Sequence, residues 1–258
     1  MNSDWPSAAI INDFSYSKLS HFDLFKNLPF QSYNVGDPNP GICDLKVYQD
    51  YLTYCFIRKN IPVGSRILEV GGGDSRILKF FFKEYECWNV DKCEGLGNGP
   101  IQFSSPHYKI VYDYIGAFNN QLPDSYFDLV FSISALEHAP EEQGWREAIA
   151  RDINRVLKPG GLSFHCLDVV FRPDNSAWIN GLIPYLYQTQ PMLTRMANQK
   201  EVRENPGTFY MSQSAYDASW LPTVKVPYAT YGRPLSYNFI WIKPVQLNHG
   251  QVAGTTAH

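Results

Sequence analysis

Residues 67–75 of the chain are ILEVGGGDS, and their pattern indicates the class of fold. The short apolar run RILEV (66–70) has the β-branched character of a strand, and three consecutive glycines follow it. The next segment, SRILKFFFKEYE (75–86), has helical spacing, with Asp74 or Ser75 as its N-cap. A strand, a glycine turn and a helix in this order are typical of the ligand-binding edge of an open parallel sheet.

The segments after this turn alternate between strand and helix patterns. Strands are predicted at CWNVD (87–91), HYKIVYDY (107–114), YFDLVFSIS (126–134) and GLSFHCLDVVF (161–171). An amphipathic helix is predicted at 142–157, and KPGG (158–161) is expected to end it. This alternation predicts an α/β fold with a mostly parallel sheet and helices on both faces.

The flanking segments differ in composition, and we divide the chain into five regions. Residues 1–63 are an aromatic-rich N-terminal cap with a helix at 45–60, and residues 64–171 form the cofactor-binding α/β core. Residues 172–220 are an insertion and a candidate substrate lid. Residues 221–245 are expected to supply the closing strands, including SYNFIWIKPV (236–245), and residues 246–258 a frayed tail. In the cap, a lid is also considered for His21, Phe14, Tyr16, Phe22 and Phe25.

Composition limits the class of protein. The 258 residues are 44% hydrophobic and 18% charged, so the chain can bury a core, and its net charge of −3 gives no general attraction to nucleic acid. The start lacks the pattern of a secretory signal, and no apolar run has the length of a membrane span. We therefore expect a cytoplasmic protein with no nucleic-acid or membrane partner. Its five cysteines lack zinc spacing, and no metal is expected.

The residues around the glycine turn suit an adenosine-containing cofactor. Asp91 ends the second predicted strand, twenty residues after Gly71, where an acid can accept hydrogen bonds from ribose hydroxyls; the alternative is a loop cap. Glu69 is unfavourable beside a pyrophosphate but favourable beside the cationic groups of S-adenosylmethionine. The dinucleotide pattern G-x-G-x-x-G also fails, because Arg76 occupies its last glycine position.

Four motifs resemble those of the class I S-adenosylmethionine-dependent methyltransferases. The first, 69–75, is EVGGGDS, with Ser75 in place of the third glycine, and the second is Asp91. The others are LPDSYFDLVFSISALEH (122–138) and INRVLKPGGLSF (153–164). The resemblance spans about residues 64–171. It implies a Rossmann-like, seven-stranded, mostly parallel sheet with one antiparallel late strand, and S-adenosyl-L-methionine as cofactor.

The same resemblance implies roles for individual residues. The methionine end of the cofactor would be lined by Glu69, Gly71, Gly72 and Gly73. The adenosine would be bound by Asp91, Lys92, Asp113 and Tyr114, and the sulfonium would lie above Ser132 and Ser134. A loop-capping role is the alternative for Asp113.

His138 is the candidate general base, because it follows the fourth strand and imidazole titrates near neutral pH. A structural role is the alternative for His138, whereas His165 is expected in the core and Asp168 is a candidate for facing the acceptor. The chain is thus predicted to be a methyltransferase acting on a small molecule such as a sugar, a phenol or a natural-product intermediate. The alternatives are an NAD(P)-dependent oxidoreductase and a non-catalytic adenosine-binding module. The sequence makes no prediction of oligomeric state.

Overall fold

The computed structural model describes residues 13–26, 28–29, 35–95, 99–189 and 197–245. Its centre is a seven-stranded sheet, with the strands β1 (Arg66–Val70), β2 (Glu86–Val90), β3 (Lys109–Val111), β4 (Phe127–Ile133), β5 (Leu157–Phe171), β6 (Ala177–Trp178) and β7 (Arg233–Ile242). The order β3-β2-β1-β4-β5 is parallel throughout, and β6 and β7 pair antiparallel with β5. The predicted fold class, a mostly parallel Rossmann-like sheet with an antiparallel late strand, is confirmed.

The helices of the described residues lie before, between and after these strands. They are α1 (His21–Phe25), α2 (Leu45–Asn60), α3 (Arg76–Phe81), α4 (Gln143–Val156), α5 (Leu182–Thr189), α6 (Gln199–Glu204), α7 (Gln213–Ser219), α8 (Leu221–Val224) and α9 (Tyr228–Tyr231). A 3-10 turn, Leu136–His138, follows β4. None of these helices has both the length and the apolar character needed to cross a bilayer.

Two apolar layers cover the two faces of the sheet. One face of β5, with Leu162, Phe164 and Cys166, packs with residues of α2 and α3, including Phe56 and Leu78. The other face, with Leu167, Val169 and Phe171, packs with residues of α4 and α5, including Ile153 and Leu186. Because successive side chains of a strand point to opposite faces, the nearly continuous apolar run of β5 fills both layers.

Several element boundaries differ from the predictions. The helix predicted at 75–86 ends at Phe81, and the strand predicted at 107–114 is only Lys109–Val111. KPGG does not separate α4 from β5, because β5 begins at Leu157 and pairs there with Phe127. The register of this pairing shifts before Leu162, and Gly160 in the shifted segment has a φ of +80° that favours glycine.

The region 221–245 contains one strand rather than several. Pro222 lies in the first turn of α8, and α9 follows Pro227, so two short helices precede β7. β7 begins at Arg233, three residues earlier than predicted. The predicted tail, 246–258, lies outside the described residues, as do 1–12 of the cap and 190–196 of the insertion.

The described part of the N-terminal cap is packed against the core. Phe14, His21, Phe22 and Phe25 are buried, and Tyr16 forms a bridge with Tyr237 of β7. These side chains therefore contribute to the core in this structure, and the expectation of a lid formed by them is not supported. The helix predicted at 45–60 is present with those bounds as α2.

Candidate active site

The glycine turn follows β1 and contacts the segment that follows β4. Gly71 has a φ of +67°, and a Cβ placed there would lie 2.7 Å from the Cβ of Ala135. A side chain at this position would be strained by its backbone conformation and would collide with the segment after β4. Glycine therefore lets the turn lie directly against Ala135, in the segment that follows β4.

The backbone N–H groups of this turn are already used. Gly71 N donates to Val90 O at 2.9 Å, and Gly72 N donates to Asn89 Oδ1 at 3.1 Å. Gly73 N donates to Asp91 Oδ2 at 2.8 Å. A phosphate cradle needs such N–H groups to be free, so this turn suits a cofactor without phosphate better than a dinucleotide.

Asp91 lies beside the turn at the end of β2. Its second oxygen, Oδ1, accepts from Cys93 N at 2.7 Å, so the carboxylate is fixed by two backbone donors. Carboxylate oxygens have further lone pairs, so Asp91 can still accept hydrogen bonds from a ligand. Asn89, buried in β2, also donates to Gly73 O at 3.0 Å and was not identified from the sequence. The only sign of this role in the sequence is a polar residue between the apolar residues of the predicted strand 87–91.

Glu69 lies beneath the turn and is buried. It accepts a hydrogen bond from the hydroxyl of Ser75, which is also the N-cap of α3 and accepts from Leu78 N at 2.9 Å. Burial raises the pKa of Glu69 to about 7; the Ser75 hydrogen bond opposes this rise and the charge of Asp50 adds to it. Asp50 in turn accepts from Arg76 Nε at 2.7 Å. Glu69 is therefore poised to change its charge near neutral pH.

A second polar cluster lies where β4 and β5 end. Asp168 accepts from Ser134 Oγ at 2.8 Å and from Gln49 Nε2 of α2 at 2.8 Å. Asp168 N donates to Glu137 Oε1 at 3.1 Å. Sequence analysis missed Gln49 and Glu137, although Glu137 stands beside the candidate base in the LEH segment. Gln49 is 119 residues from Asp168 in sequence, so only the fold brings them together.

The carboxyl groups of Glu137 and Asp168 influence each other. Burial, followed by the charge of Asp168, raises the pKa of Glu137 well above its ordinary value. Burial also raises the pKa of Asp168, but the hydrogen bonds from Ser134 and Gln49 and the charge of His138 oppose this. We infer that Glu137 holds the proton and that Asp168 is the group that ionises. His138 itself is exposed at the end of the 3-10 turn.

The two serines predicted near the sulfonium lie in different environments. Ser134 is partly exposed, has a φ of +48° and belongs to the polar cluster. Ser132 is fully buried and lies 2.8 Å from His165 Nδ1, which places it inside the sheet. His165 also contacts Ser163 Oγ at 2.7 Å, and burial lowers its pKa to about 3, so it is a neutral core histidine as expected.

The predicted adenine residues lie around the ends of β2 and β3. Lys92 lines a cleft of about 320 Å³ together with Cys93, Gln102, Phe103, Ser104 and Tyr112. Asp113 accepts from Asn119 Nδ2 at 2.8 Å, and the Tyr114 hydroxyl donates to Glu94 at 2.6 Å. The lining of the cleft, as far as the chain is described, includes neither Asp113 nor Tyr114. The structure thus places these residues on one edge without gathering them in one cleft.

No cluster of three or more His, Cys, Asp or Glu side chains that could hold a metal ion occurs within the described ranges.

Comparison with known proteins gives a family match over the core. Residues 68–164 match the family model described as a methyltransferase domain. The sterol 24-C-methyltransferase of Schizosaccharomyces pombe is 28% identical over 174 residues, which are 63% of this chain and 40% of that protein. The 2-methyl-6-phytyl-1,4-hydroquinone methyltransferase of Synechocystis sp. is 32% identical over 111 residues, or 40% of this chain and 31% of that protein. The chain thus spans less than half the length of these two relatives.

Among solved structures, one match is phosphoethanolamine N-methyltransferase 2 of Haemonchus contortus in complex with S-adenosyl-L-methionine. It is 14% identical, covers 90% of this chain and 60% of that chain, and has a TM-score of 0.45.

The fold and the glycine turn define a Rossmann-like domain suited to an adenosine-containing cofactor without phosphate. With the family match, residues 68–164 are a class I S-adenosylmethionine-dependent methyltransferase domain, and S-adenosylmethionine is the cofactor of that family. The nicotinamide-dependent alternative is therefore not supported.

Proposed function

We propose that the protein transfers the methyl group of S-adenosylmethionine to a small-molecule acceptor bound at the carboxyl ends of β4 and β5. The observation that supports this most directly is the close approach of Gly71 to Ala135. It brings the cofactor turn against the segment that carries Ser134, Glu137 and His138. A cofactor site and a cluster of acid–base groups then share one edge of the sheet, as group transfer between two bound molecules requires.

The residues of this edge fit the cofactor. Asp91 would accept from the ribose hydroxyls, and ionised Glu69 would stabilise the cationic methionine end. The remaining contacts are assigned to Gly71, Gly72, Gly73, Lys92, Asp113, Tyr114 and Ser134, while Ser132 would support Ser134 from within β4. When bound, S-adenosylmethionine supplies an electrophilic methyl group on its sulfonium.

His138 is proposed to take the proton of the acceptor. It is exposed, and its charge opposes the rise that burial causes in the pKa of Asp168. Asp168 would lie beside the imidazole, and Ser134, Gln49 and Glu137 would hold Asp168 in place. The last three are positioning residues, because they act on Asp168 rather than on the acceptor.

The acceptor is proposed to be a sugar, a phenol or a natural-product intermediate. Burial raises the pKa of the half-buried Tyr231, and the charges of Tyr216 and Asp168 add to this rise. An aromatic side chain beside hydrogen-bonding groups suits an acceptor whose ring carries hydroxyl groups. The sterol and hydroquinone substrates in the names of the two relatives agree with a small molecule, and the matches cover 63% and 40% of this chain. The region 172–220 is proposed to contribute to this acceptor pocket.

The test is a turnover assay with the full chain. The protein is incubated with S-adenosylmethionine and separate panels of sugars, phenols and amines, and S-adenosylhomocysteine formation is followed by mass spectrometry. The proposal expects product with at least one panel, and loss of that product in Asp91→Ala but not in Asp23→Ala, an exposed carboxylate of α1. Cofactor binding with no turnover on any panel would instead favour the non-catalytic adenosine-binding module.

A further inference from the structure

Two arginines flank a pair of aromatic rings at the carboxyl end of β5. The guanidinium carbon of Arg203 lies 4.2 Å from the centroid of the Phe171 ring, and that of Arg233 lies 4.2 Å from the centroid of the Tyr210 ring. The two ring centroids are 6.2 Å apart, so the four side chains form one continuous cluster, here termed the arginine patch. Phe171 and Arg233 are also cross-strand partners in β5 and β7.

The charges of the arginine patch are not neutralised within the described part of the chain. Ion pairs are formed there by Arg58, Arg66, Arg76 and Arg155, and neither Arg203 nor Arg233 has a carboxylate partner. This local excess of positive charge occurs in a chain whose net charge is −3, so it does not reflect a generally basic surface.

Both arginines retain hydrogen-bonding capacity. Arg203 Nη2 donates to Ser176 O at 2.7 Å, whereas its Nε is buried and has no hydrogen-bond partner in the described structure. The Arg233 side chain is exposed and makes no hydrogen bond within the described ranges. Burial raises the pKa of Tyr210, and the charges of Arg233 and Arg203 both oppose this, so the two cations act on the same phenol.

An oxyanion is the ligand that this arrangement suits. A guanidinium offers several N–H donors in one plane, which match the oxygens of a phosphate group. Contact with an aromatic ring restricts the guanidinium, so less conformational entropy is lost when it binds. A bound dianion would also neutralise both guanidinium charges.

We propose that Arg203 and Arg233 bind the phosphate group of a phosphorylated small molecule. Phe171 follows Asp168 by three residues on β5, so the patch lies at the same end of the sheet as the glycine turn. Charge and geometry alone define this phosphate site, and it does not depend on methyl transfer. A phosphorylated acceptor is the ligand that would connect it with the proposed function.

The test is calorimetric titration of the full chain with pyrophosphate and with inorganic phosphate at low and at physiological ionic strength. Arg233→Gln and Arg203→Gln should each weaken pyrophosphate binding about tenfold or more, the value of a lost charge-assisted hydrogen bond. Arg151→Gln is the matched control, because Arg151 is also exposed and lies 5.5 Å from an aromatic ring, that of Phe118. Its affinity should equal that of the wild type.

Arg233→Gln alone decides the result if Arg203→Gln proves unstable, because the Arg233 side chain is exposed. Absence of pyrophosphate binding, or an equal loss in all three variants, would overturn the proposal.

Flotation with phosphatidic acid vesicles tests the other source of phosphate. Arg233-dependent binding to these vesicles would overturn the proposal that the ligand is a small molecule. A parallel titration with S-adenosylhomocysteine should give equal affinities for all variants. If the wild type does not bind S-adenosylhomocysteine, that result counts against the proposed function and leaves the phosphate result intact.

Discussion

Glu69 is a buried carboxyl group of the site whose charge changes near neutral pH. Its pKa of about 7 is set mainly by burial, with the hydroxyl of Ser75 and the charge of Asp50 acting in opposite directions. A cation bound beside this carboxyl group stabilises the ionised form, so binding of the cation and loss of the proton are coupled. The group therefore links cofactor binding to pH.

The affinity for S-adenosylmethionine should rise with pH up to about pH 7 and then level off. Below this pH Glu69 must lose a proton on binding, so affinity should fall by up to about tenfold for each pH unit. Calorimetry from pH 5.5 to 8.5, in buffers of different ionisation enthalpy, measures both the affinity and the proton released. Glu69→Gln should remove this dependence, and a dependence that persists in the variant would assign it to another group.

The same residue should lower the stability of the cofactor-free protein as pH rises. The folded-state pKa of Glu69 lies above the ordinary value of 4.5, so between these values the folded state holds more protons than the unfolded state. The penalty therefore grows from about pH 4.5 and reaches about 3 kcal/mol above pH 7. Urea unfolding of wild type and Glu69→Gln at pH 5 and pH 8 should show the variant gaining relative stability at pH 8. No gain would mean that Glu69 titrates normally.

The proposed roles of His138 and Asp168 predict different effects on turnover and on cofactor binding. His138→Ala should reduce turnover about 10²–10⁴-fold, as expected for loss of a general base, and leave S-adenosylhomocysteine affinity unchanged. Asp168→Asn should also lower turnover, because it removes the carboxylate that accepts hydrogen bonds from Ser134 and Gln49. His138→Ala with wild-type turnover would leave His138 a structural residue.

At the scale of elements, α2 connects the N-terminal region to the sheet and to the site. Its Gln49 holds Asp168, and its Phe56 stacks on Phe164 of β5 with ring centroids 4.2 Å apart. Both aromatic rings are fully buried. The packing of α2 therefore fixes one hydrogen-bond donor of the polar cluster.

Phe56→Ala should lower the free energy of unfolding by about 3–5 kcal/mol, because it removes a buried ring and leaves a cavity. Phe118→Ala, at a ring that is 41% exposed, should cost far less and serves as the control. Urea unfolding followed by circular dichroism measures both. A loss below about 1 kcal/mol for Phe56→Ala would mean that α2 contributes little to the fold.

At the scale of the whole molecule, the predictions were most accurate where local sequence determines structure. β1 was predicted with its observed bounds, because RILEV is bounded by turn residues on both sides. KPGG was expected to separate α4 from β5, but pairing of β5 with β4 extends the strand through it. A turn signal was thus outweighed by a long-range pairing that no local pattern reports.

The candidate site shows the same division. Gly71 and Asp91 could be predicted to lie together because the strand–turn–helix–strand unit that contains them has a fixed geometry, and Asp91 does contact the turn at Gly73. Gln49, Asn89 and Glu137 were missed, because their roles depend on contacts made by packing. Ser132 was placed in the site by its position at the end of β4, but strand alternation and the contact with His165 put it inside the sheet.

The assignment of the glycine turn and Asp91 to S-adenosylmethionine is tested most directly by calorimetric titration of the full chain. The ligands are S-adenosylmethionine, S-adenosylhomocysteine, NAD and NADP, and the titrations are repeated with Asp91→Ala. The occupied N–H groups of the glycine turn predict binding of the first two ligands only, and the Asp91 carboxylate predicts that these ligands bind through their ribose hydroxyls. They also predict a loss of about 1.5–3 kcal/mol in the variant for each ribose hydrogen bond removed. Binding of NAD or NADP, or an undiminished S-adenosylhomocysteine affinity in Asp91→Ala, would contradict the assignment of the turn.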